Sequence, residues 1–179
     1  MKLLPIVTIH DNNPVLHSRA HEVENIGDPA IQELITDMIP TMYKKDGVGL
    51  AATQVGKGVR IAVIIPDPNN FDRYKDDANQ ALVLINPTVI NHSFFKESSE
   101  EGCLSVPDVF GNVRRWKKIT ITYFDRHGDK HTLRATGLRA RVIQHEIDHL
   151  DGILFIEKAD KLFKIEPLEN DNAKDIIDE

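Results

Sequence analysis

The segment from His145 to His149, with sequence HEIDH, constrains the local structure of this chain more than any other stretch. Two histidines four positions apart lie on one face of a helix, about 6 Å apart along its axis. They can therefore bind one metal ion, and Glu146 between them can transfer a proton beside it. We expect this helix to begin near Thr136 and to end at Asp151-Gly152. Its apolar stripe consists of Leu138, Val142, Ile143, Ile147 and Leu150.

Length and composition favour one compact domain. The chain has 179 residues, of which 41% are hydrophobic and 28% charged, and its formal net charge is -6. A net negative chain offers no cationic surface for nucleic acid or for an anionic membrane, so we expect neither partner. The longest apolar runs have the length of strands, and the N-terminus lacks the apolar core of a signal peptide. We therefore expect a cytoplasmic location.

Regular elements of both types are predicted. The pattern from Asp28 to Lys45 predicts an amphipathic helix that begins at an N-cap aspartate, with Pro40 causing a kink or an end near Ile39. Helices separated by strands, without regular βαβ alternation, indicate the α+β class. An exposed loop is expected between Pro66 and Ala81. The predicted strands are Val59–Ile65 and Leu82–Asn86, each closed by a proline, a hairpin of Trp116–Phe124 and Lys130–Ala135, and a short buried strand Ile153–Ile156.

The segment from Glu101 to Ser105 (EGCLS) contains the only cysteine, Cys103. A lone cysteine is often a small buried apolar residue. Its thiolate is also a good ligand for zinc or ferrous iron, so Cys103 can complete a set with the two histidines. Three protein ligands leave a fourth position open, which is typical of a catalytic site.

The segment from Gly47 to Gln54 (GVGLAATQ) allows unusual backbone angles and a close approach of another chain. The alternative is a helix C-cap at Gly47, followed by a turn into a core strand. This segment is not a phosphate-binding loop, because the Lys-Ser/Thr ending is missing.

Together, the blocks at residues 47–54, 101–105 and 144–149 resemble those of the peptide deformylase family. The resemblance extends to about Glu157. It implies a metal-dependent hydrolase that removes the N-formyl group from the N-terminal methionine of newly made polypeptides and releases formate. The implied fold is a single compact α+β domain, with antiparallel sheets packed around a central metal-binding helix. We expect residues 1–165 to form the catalytic domain and residues 166–179 an acidic, polar tail.

The resemblance also implies residue roles. Cys103, His145 and His149 would bind one divalent ion, for which the family favours Fe(2+), while Zn(2+), Ni(2+) or Co(2+) also suit these ligands. Glu146 would transfer the proton, and the Gln54 amide and the Leu104 backbone N–H would face the formyl oxygen. The residues expected to contact the substrate are Gly49, through its backbone, and Val48, Leu138 and Val142, around the methionine side chain.

The expected partners are formyl-Met peptides and nascent chains near the ribosome. Some bacterial relatives dock on the ribosome through a basic C-terminal helix, and the acidic tail argues against stable docking of that kind. We expect Gln144 and Asp148 to be orienting or structural groups near the ligands. The Arg114-Arg115 pair is expected to be a solvated entry to a strand.

Two other functions remain open from the residues. A zincin-type endoprotease would leave Cys103 unused and take Glu157 or Glu166 as its third ligand. A small metal-stabilised binding module would fill all four positions with protein ligands, and the sequence offers no evident fourth.

Overall fold

The computed structural model describes residues 1–68 and 81–164, so most of the expected loop before Ala81 and the tail from Glu166 lie outside the described residues. Neither helix within those ranges is long and apolar enough to cross a bilayer. The helices are α1 (Pro29–Lys44) and α2 (Gly137–Leu150). The strands are β1 (Gly49–Ala51), β2 (Ile61–Ile64), β3 (Leu82–His92), β4 (Lys96–Cys103), β5 (Val106–Trp116), β6 (Lys118–Phe124), β7 (Lys130–Thr136) and β8 (Ala159–Lys164).

The strands form two antiparallel sheets. One has five strands in the order β1-β2-β3-β6-β7, and the other has three in the order β4-β5-β8. Because side chains alternate along a strand, β2 directs Ala62 and Ile64 to one face of the larger sheet, and Ile61 and Val63 to the other. Helix α2 packs on the first face and helix α1 on the second.

Helix α2 lies between the two sheets. Its apolar residues Ile143, Ile147 and Leu150 pack in the core against the five-stranded sheet. Towards the three-stranded sheet it directs polar groups: Arg141 donates to the Val113 carbonyl of β5, and His145 contacts Glu101 of β4. The predicted α+β fold, with antiparallel sheets around a central helix, is thus confirmed.

Helix α1 continues through Pro40 to Lys44, so of the two outcomes expected at this proline, a kink or an end near Ile39, the end is wrong. The Asp28 side chain caps its first turn by accepting a hydrogen bond of 2.8 Å from the Ala30 N–H. Buried apolar residues continue after the proline, with Met42 fully buried against the five-stranded sheet. Packing of that last turn outweighs the hydrogen bond that proline cannot make.

Strand β3 also passes its proline, and the predicted end at Asn86 is wrong. The register with β6 shifts between Ile85 and Thr88, and Asn86 has a φ of 51°. Pro87 therefore lies in a β-bulge, where a missing N–H interrupts no regular ladder. The Asn86 side chain fixes the bulge through hydrogen bonds of 2.9 and 3.0 Å with the Val23 backbone.

Between Ile153 and Ile156 the chain does not form the predicted short strand. It forms a single 3-10 turn, Phe155–Glu157, in which the Glu157 carboxylate accepts a hydrogen bond of 2.8 Å from the Leu154 N–H. Leu154 and Phe155 are buried as expected. A short apolar run predicts burial but does not distinguish a strand from a helical turn.

Candidate metal centre and catalytic site

The three predicted metal ligands come together at the face of α2 that meets β4. The side-chain donor atoms of Cys103, His145 and His149 all lie within 4.8 Å of one another. The His149 Nε2 is 3.1 Å from the Cys103 Sγ and 3.2 Å from the His145 Nε2. Two imidazoles one helical turn apart on α2 thus converge with a thiol at the end of β4, where the register with β5 shifts between Gly102 and Cys103.

The chemistry of these donors fits a divalent metal ion. Burial alone would raise the pKa of the Cys103 thiol, but the adjacent His149 and His145 hold that pKa well below its ordinary value. In turn, burial alone would lower the pKa of His145, whereas its hydrogen bonds with Cys103 and Glu101 raise it to about 10. One thiolate and two imidazole nitrogens form a ligand set for zinc, iron, nickel or cobalt, and a bound ion would take the place of the proton on the His145 Nε2.

Glu101 fixes the orientation of His145. Its Oε2 lies 2.9 Å from the His145 Nδ1, and it also accepts a hydrogen bond of 2.9 Å from Arg115. Burial alone would raise the pKa of Glu101, but Arg115 and His145 hold it well below its ordinary range. An ionised carboxylate can only accept, so the His145 Nδ1 donates and its Nε2 faces the other ligands.

Glu146 places an unpaired carboxylate beside the ligands. Within the described residues its Oε2 is buried and has no hydrogen-bond partner. Burial raises the pKa of Glu146 to about 7, although the adjacent histidines act in the opposite direction. A carboxyl group with this pKa can take up and release a proton near neutral pH.

Gly49 in β1 makes room for that carboxylate. A Cβ atom at position 49 would lie 2.8 Å from the carboxyl carbon of Glu146, too close for any real side chain. Any side chain at position 49 would therefore displace the Glu146 carboxylate, and the open angles considered for the GVGLAATQ segment are not needed here. The alternative, a helix C-cap at Gly47 followed by a turn into a core strand, does not account for this contact.

Gln54 directs its amide nitrogen at the ligands. Its Nε2 donates to the Cys103 Sγ over 3.3 Å, while its Oε1 accepts a hydrogen bond of 2.8 Å from the Ala51 N–H. That second bond decides which end of the amide faces the site. Leu104, the residue after the cysteine, lines the same space.

A cavity of about 530 Å³ opens over these groups. Gly49, Gln54, Cys103, His145 and Glu146 lie in its wall. The apolar residues that line it include the predicted contacts Val48, Leu138 and Val142, together with Leu104, Pro107 and Phe110. Gly102 lies against Phe110, because a Cβ atom there would be 2.7 Å from the phenyl ring.

The described ligand cluster does not support the rival functions. Cys103 belongs to it, whereas the Glu157 carboxylate caps a separate turn, and Glu166 lies outside the described residues. Within residues 1–68 and 81–164, the cluster has three protein ligands, which is typical of a catalytic site.

Sequence reasoning missed the roles of two residues around the ligands, Glu101 and Arg115. Glu101 was considered only as the first residue of the EGCLS segment. In the structure it contacts His145, and Arg141 donates to it over 2.6 Å. The expected solvation of the arginine pair is right for Arg114, which is exposed, and wrong for Arg115, which is 4% exposed. Alternation along β5 buries Arg115 on the same side as Val113, and this period-two pattern was the available signal.

Gln144 and Asp148 both anchor α2, as expected of groups near the ligands. The Gln144 amide binds the Trp116 backbone with hydrogen bonds of 3.1 and 3.0 Å. The Asp148 carboxylate pairs with Arg115 and accepts a hydrogen bond of 2.6 Å from the Lys158 ammonium.

Known proteins resemble this chain over most of its length. It is 42% identical to peptide deformylase 2 of Gloeobacter violaceus, a match that covers 91% of this chain and 84% of that protein. It is 45% identical to the peptide deformylase of Chlorobaculum tepidum, over 89% of this chain and 81% of that protein.

Solved structures agree with the fold. The crystal structure of peptide deformylase from Thermotoga maritima has a TM-score of 0.77 and 36% identity, and the match covers 93% of this chain and all of that one (100%). The Synechococcus elongatus enzyme in complex with actinonin has a TM-score of 0.76 and 37% identity, over 88% of this chain and 79% of that one. The family model described as polypeptide deformylase matches residues 3–164. The chain therefore belongs to the polypeptide deformylase family.

Proposed function

We propose that Cys103, His145, His149 and Glu146 form the active site with which this chain removes the formyl group from the N-terminal methionine of newly made polypeptides and releases formate. The observation that carries these assignments is the buried Glu146 carboxylate, whose Oε2 has no hydrogen-bond partner among the described residues, beside three converging donor atoms at one cavity wall. Deformylation of this kind is the activity of the family to which the chain belongs.

A divalent metal ion would be held by Cys103, His145 and His149. Such an ion supplies Lewis-acid chemistry, lowering the pKa of water from 15.7 toward about 7 and polarising a carbonyl. Fe(2+) is the proposed ion, and Zn(2+), Ni(2+) and Co(2+) are compatible with the same ligands.

Gln54 and the Leu104 backbone N–H would bind the formyl oxygen as it becomes negative. The Gln54 amide already has its nitrogen turned to this side by the Ala51 bond, so no rotation is needed during reaction. A preorganised donor of this type contributes about 3–4 kcal/mol to the stabilisation of the transition state.

Glu146 would move the proton. It accepts a proton from the attacking water and returns it to the nitrogen of the leaving amine. Among the described residues its Oε2 has no hydrogen-bond partner, which leaves that oxygen free for the exchange, and its pKa of about 7 suits both directions.

The cavity would hold the first residue of the substrate. Val48, Leu138 and Val142 lie in its wall and provide apolar contacts for a methionine side chain. Gly49 belongs to β1, an edge strand of the five-stranded sheet, where a peptide can pair with its backbone.

The cellular setting follows from the substrate. Formyl-Met nascent chains arise at ribosomes, so we place the activity in the cytoplasm near them, without stable docking through the acidic tail. Residues 1–165 are proposed as the catalytic domain, in accord with the family match over residues 3–164. Removal of residues 166–179 should leave turnover of short peptides unchanged.

Formate release tests the activity. Formyl-Met-Ala-Ser and acetyl-Met-Ala-Ser peptides are compared on a sample of known metal content. We expect strong preference for the formyl peptide, because the hydrogen of a formyl group needs less room beside the ligands than a methyl group. Equal turnover of both peptides would contradict the proposed site.

The ligand assignment has a separate test. Cys103→Ala should lose most of the bound metal and the activity, while an exposed control, Ser98→Ala, should retain both. Stoichiometric metal in Cys103→Ala would favour the endoprotease ligand set, in which the cysteine is unused.

A further inference from the structure

A line of paired charges runs behind the metal ligands. The Lys158 ammonium donates to Asp148 over 2.6 Å, and the other Asp148 oxygen pairs with Arg115. Arg115 then binds Glu101, whose carboxylate contacts the His145 Nδ1 over 2.9 Å. The line thus connects the surface at Lys158, next to a second cavity of about 610 Å³, with an imidazole of the metal centre.

Arg115 is the branch point of this line. Its Nε and Nη2 each donate to Glu101 over 2.9 Å, and its Nη1 donates to Asp148. The guanidinium therefore binds one carboxylate of β4 and one of α2 from its own position in β5. A planar fork of fixed donors makes such a double contact with defined geometry.

The hydrogen bonds of the Glu101 carboxylate hold it in a single orientation. Its Oε1 accepts from Arg115 and, over 2.6 Å, from Arg141, and its Oε2 accepts from Arg115 and faces the His145 Nδ1. Rotation of the carboxylate would break several charged hydrogen bonds at once. Glu101 consequently presents a fixed acceptor to the imidazole.

We propose that Arg115 is a positioning residue for the metal centre, acting through Glu101 to orient His145 and so to set the affinity for the ion. This inference rests on the proposed ligand set. Arg115 itself is absent from the wall of the active-site cavity, so it does not contact the substrate. Its effect on the reaction passes through the imidazole.

Arg60 provides a matched control. It is also a buried arginine that ties α2 to a strand, since it donates to the Leu150 carbonyl over 3.1 Å, to Asp151 over 2.7 Å and to the Pro87 carbonyl over 3.4 Å. It makes no contact with Glu101 or His145 among the described residues. A purely structural arginine and a positioning arginine, both in contact with α2, can thus be compared.

The experiment compares Arg115→Lys with Arg60→Lys. Each variant keeps its positive charge, which favours folding. Each variant also loses the planar guanidinium, and with it the double contact of defined geometry. Zinc affinity is measured by competition with a chelator, and the cobalt-loaded proteins are compared by their visible absorption. Partners behind a metal-bound histidine typically contribute 10- to 100-fold to affinity, so we expect about tenfold weaker zinc binding for Arg115→Lys.

Arg60→Lys should bind zinc within about twofold of the parent, whatever its thermal stability, and only Arg115→Lys should shift the cobalt spectrum. Adding Arg115→Lys to a Glu101→Gln background should then lower the zinc affinity little further, because the Glu101 carboxylate through which Arg115 acts is already missing. Equal losses of zinc affinity in both arginine variants, or none in Arg115→Lys, would overturn the proposal. If the parent protein binds no zinc in this assay, the proposed ligand set itself is wrong. That outcome differs from failure of the Arg115 proposal, in which the parent binds zinc.

Discussion

Gln54 and Cys103 are joined by a hydrogen bond of 3.3 Å from the side-chain amide to the sulfur. The Ala51 N–H donates a hydrogen bond of 2.8 Å to the amide oxygen of the same Gln54 side chain, so the amide nitrogen must face the ligand cluster. The short 3-10 turn Ala52–Val55, directly after β1, places this amide. The hydrogen bond from the Ala51 N–H, three residues earlier in the chain, thus ensures that Gln54 presents a donor to the site.

Replacing that donor by an acceptor is the sharpest test of Gln54. In Gln54→Glu the second oxygen would face the sulfur and the developing negative charge on the substrate, so we expect kcat to fall by about 10²–10³-fold. The control Gln32→Glu changes a glutamine on α1 whose side chain contacts Ile26 and Arg126 and not the ligands, so it should retain the parent rate per folded protein. Formate release per bound metal is measured. A Gln54→Glu rate within threefold of the parent would remove Gln54 from the oxygen-binding role.

Glu146→Gln tests proton transfer. Glutamine keeps the size of the side chain but accepts no proton, so kcat should fall by about 10²–10⁴-fold. The three metal ligands remain, and therefore folding and metal content should be unchanged. The exposed Glu33→Gln in α1 serves as the control. Near-normal formate release from a metal-loaded Glu146→Gln protein would exclude Glu146 as the proton carrier.

Gly49→Ala tests the close approach of β1 to α2. The added Cβ would lie 2.8 Å from the Glu146 carboxyl carbon, which forces that carboxylate out of place. We expect at least a tenfold loss of kcat, since general acid–base groups contribute about 10²–10⁴-fold when correctly placed. At Gly58 a Cβ would meet nothing within 4 Å, so Gly58→Ala should leave activity intact. Equal rates for the two variants would argue against the geometric role of Gly49.

The identity of the ion should appear in the oxygen sensitivity. We expect the iron-loaded protein to be the faster form and to lose activity in air, while the zinc-loaded protein is slower and stable. Both forms are prepared from metal-free protein under anaerobic conditions, and formate release is followed before and after exposure to air. Equal rates together with equal lifetimes would contradict the preference for Fe(2+).

Local sequence information was sufficient for part of the site. His145, Glu146 and His149 share one helix, and their spacing alone predicts their common face. The helix itself runs from Gly137 to Leu150, close to its predicted bounds. Ligand chemistry made Cys103 a candidate for the third ligand and the family resemblance assigned it, because nothing in its local sequence determines which helix it meets.

The pairing of β4 with β5 is what sequence reasoning could not supply. Strand β4 is almost entirely exposed and polar from Lys96 to Glu100, so it lacks the apolar alternation by which strands are recognised. Without its register, the approach of Arg115 to Glu101 is not predictable. The effects of the two prolines were not predictable for a related reason, because burial of Met42 and the bulge at Pro87 depend on tertiary packing.

The distribution of the ligands has a consequence for the life of the protein. One donor belongs to the three-stranded sheet and two to α2, so an ion bound by all three links separate parts of the fold. A ligand that binds only the folded state adds RT ln(1 + [L]/Kd) to its stability, about 4 kcal/mol when its concentration is 1,000 times Kd. Metal scarcity would therefore raise the fraction of unfolded chains exposed to proteases. The amount of this protein, and not only its rate, would follow the metal supply.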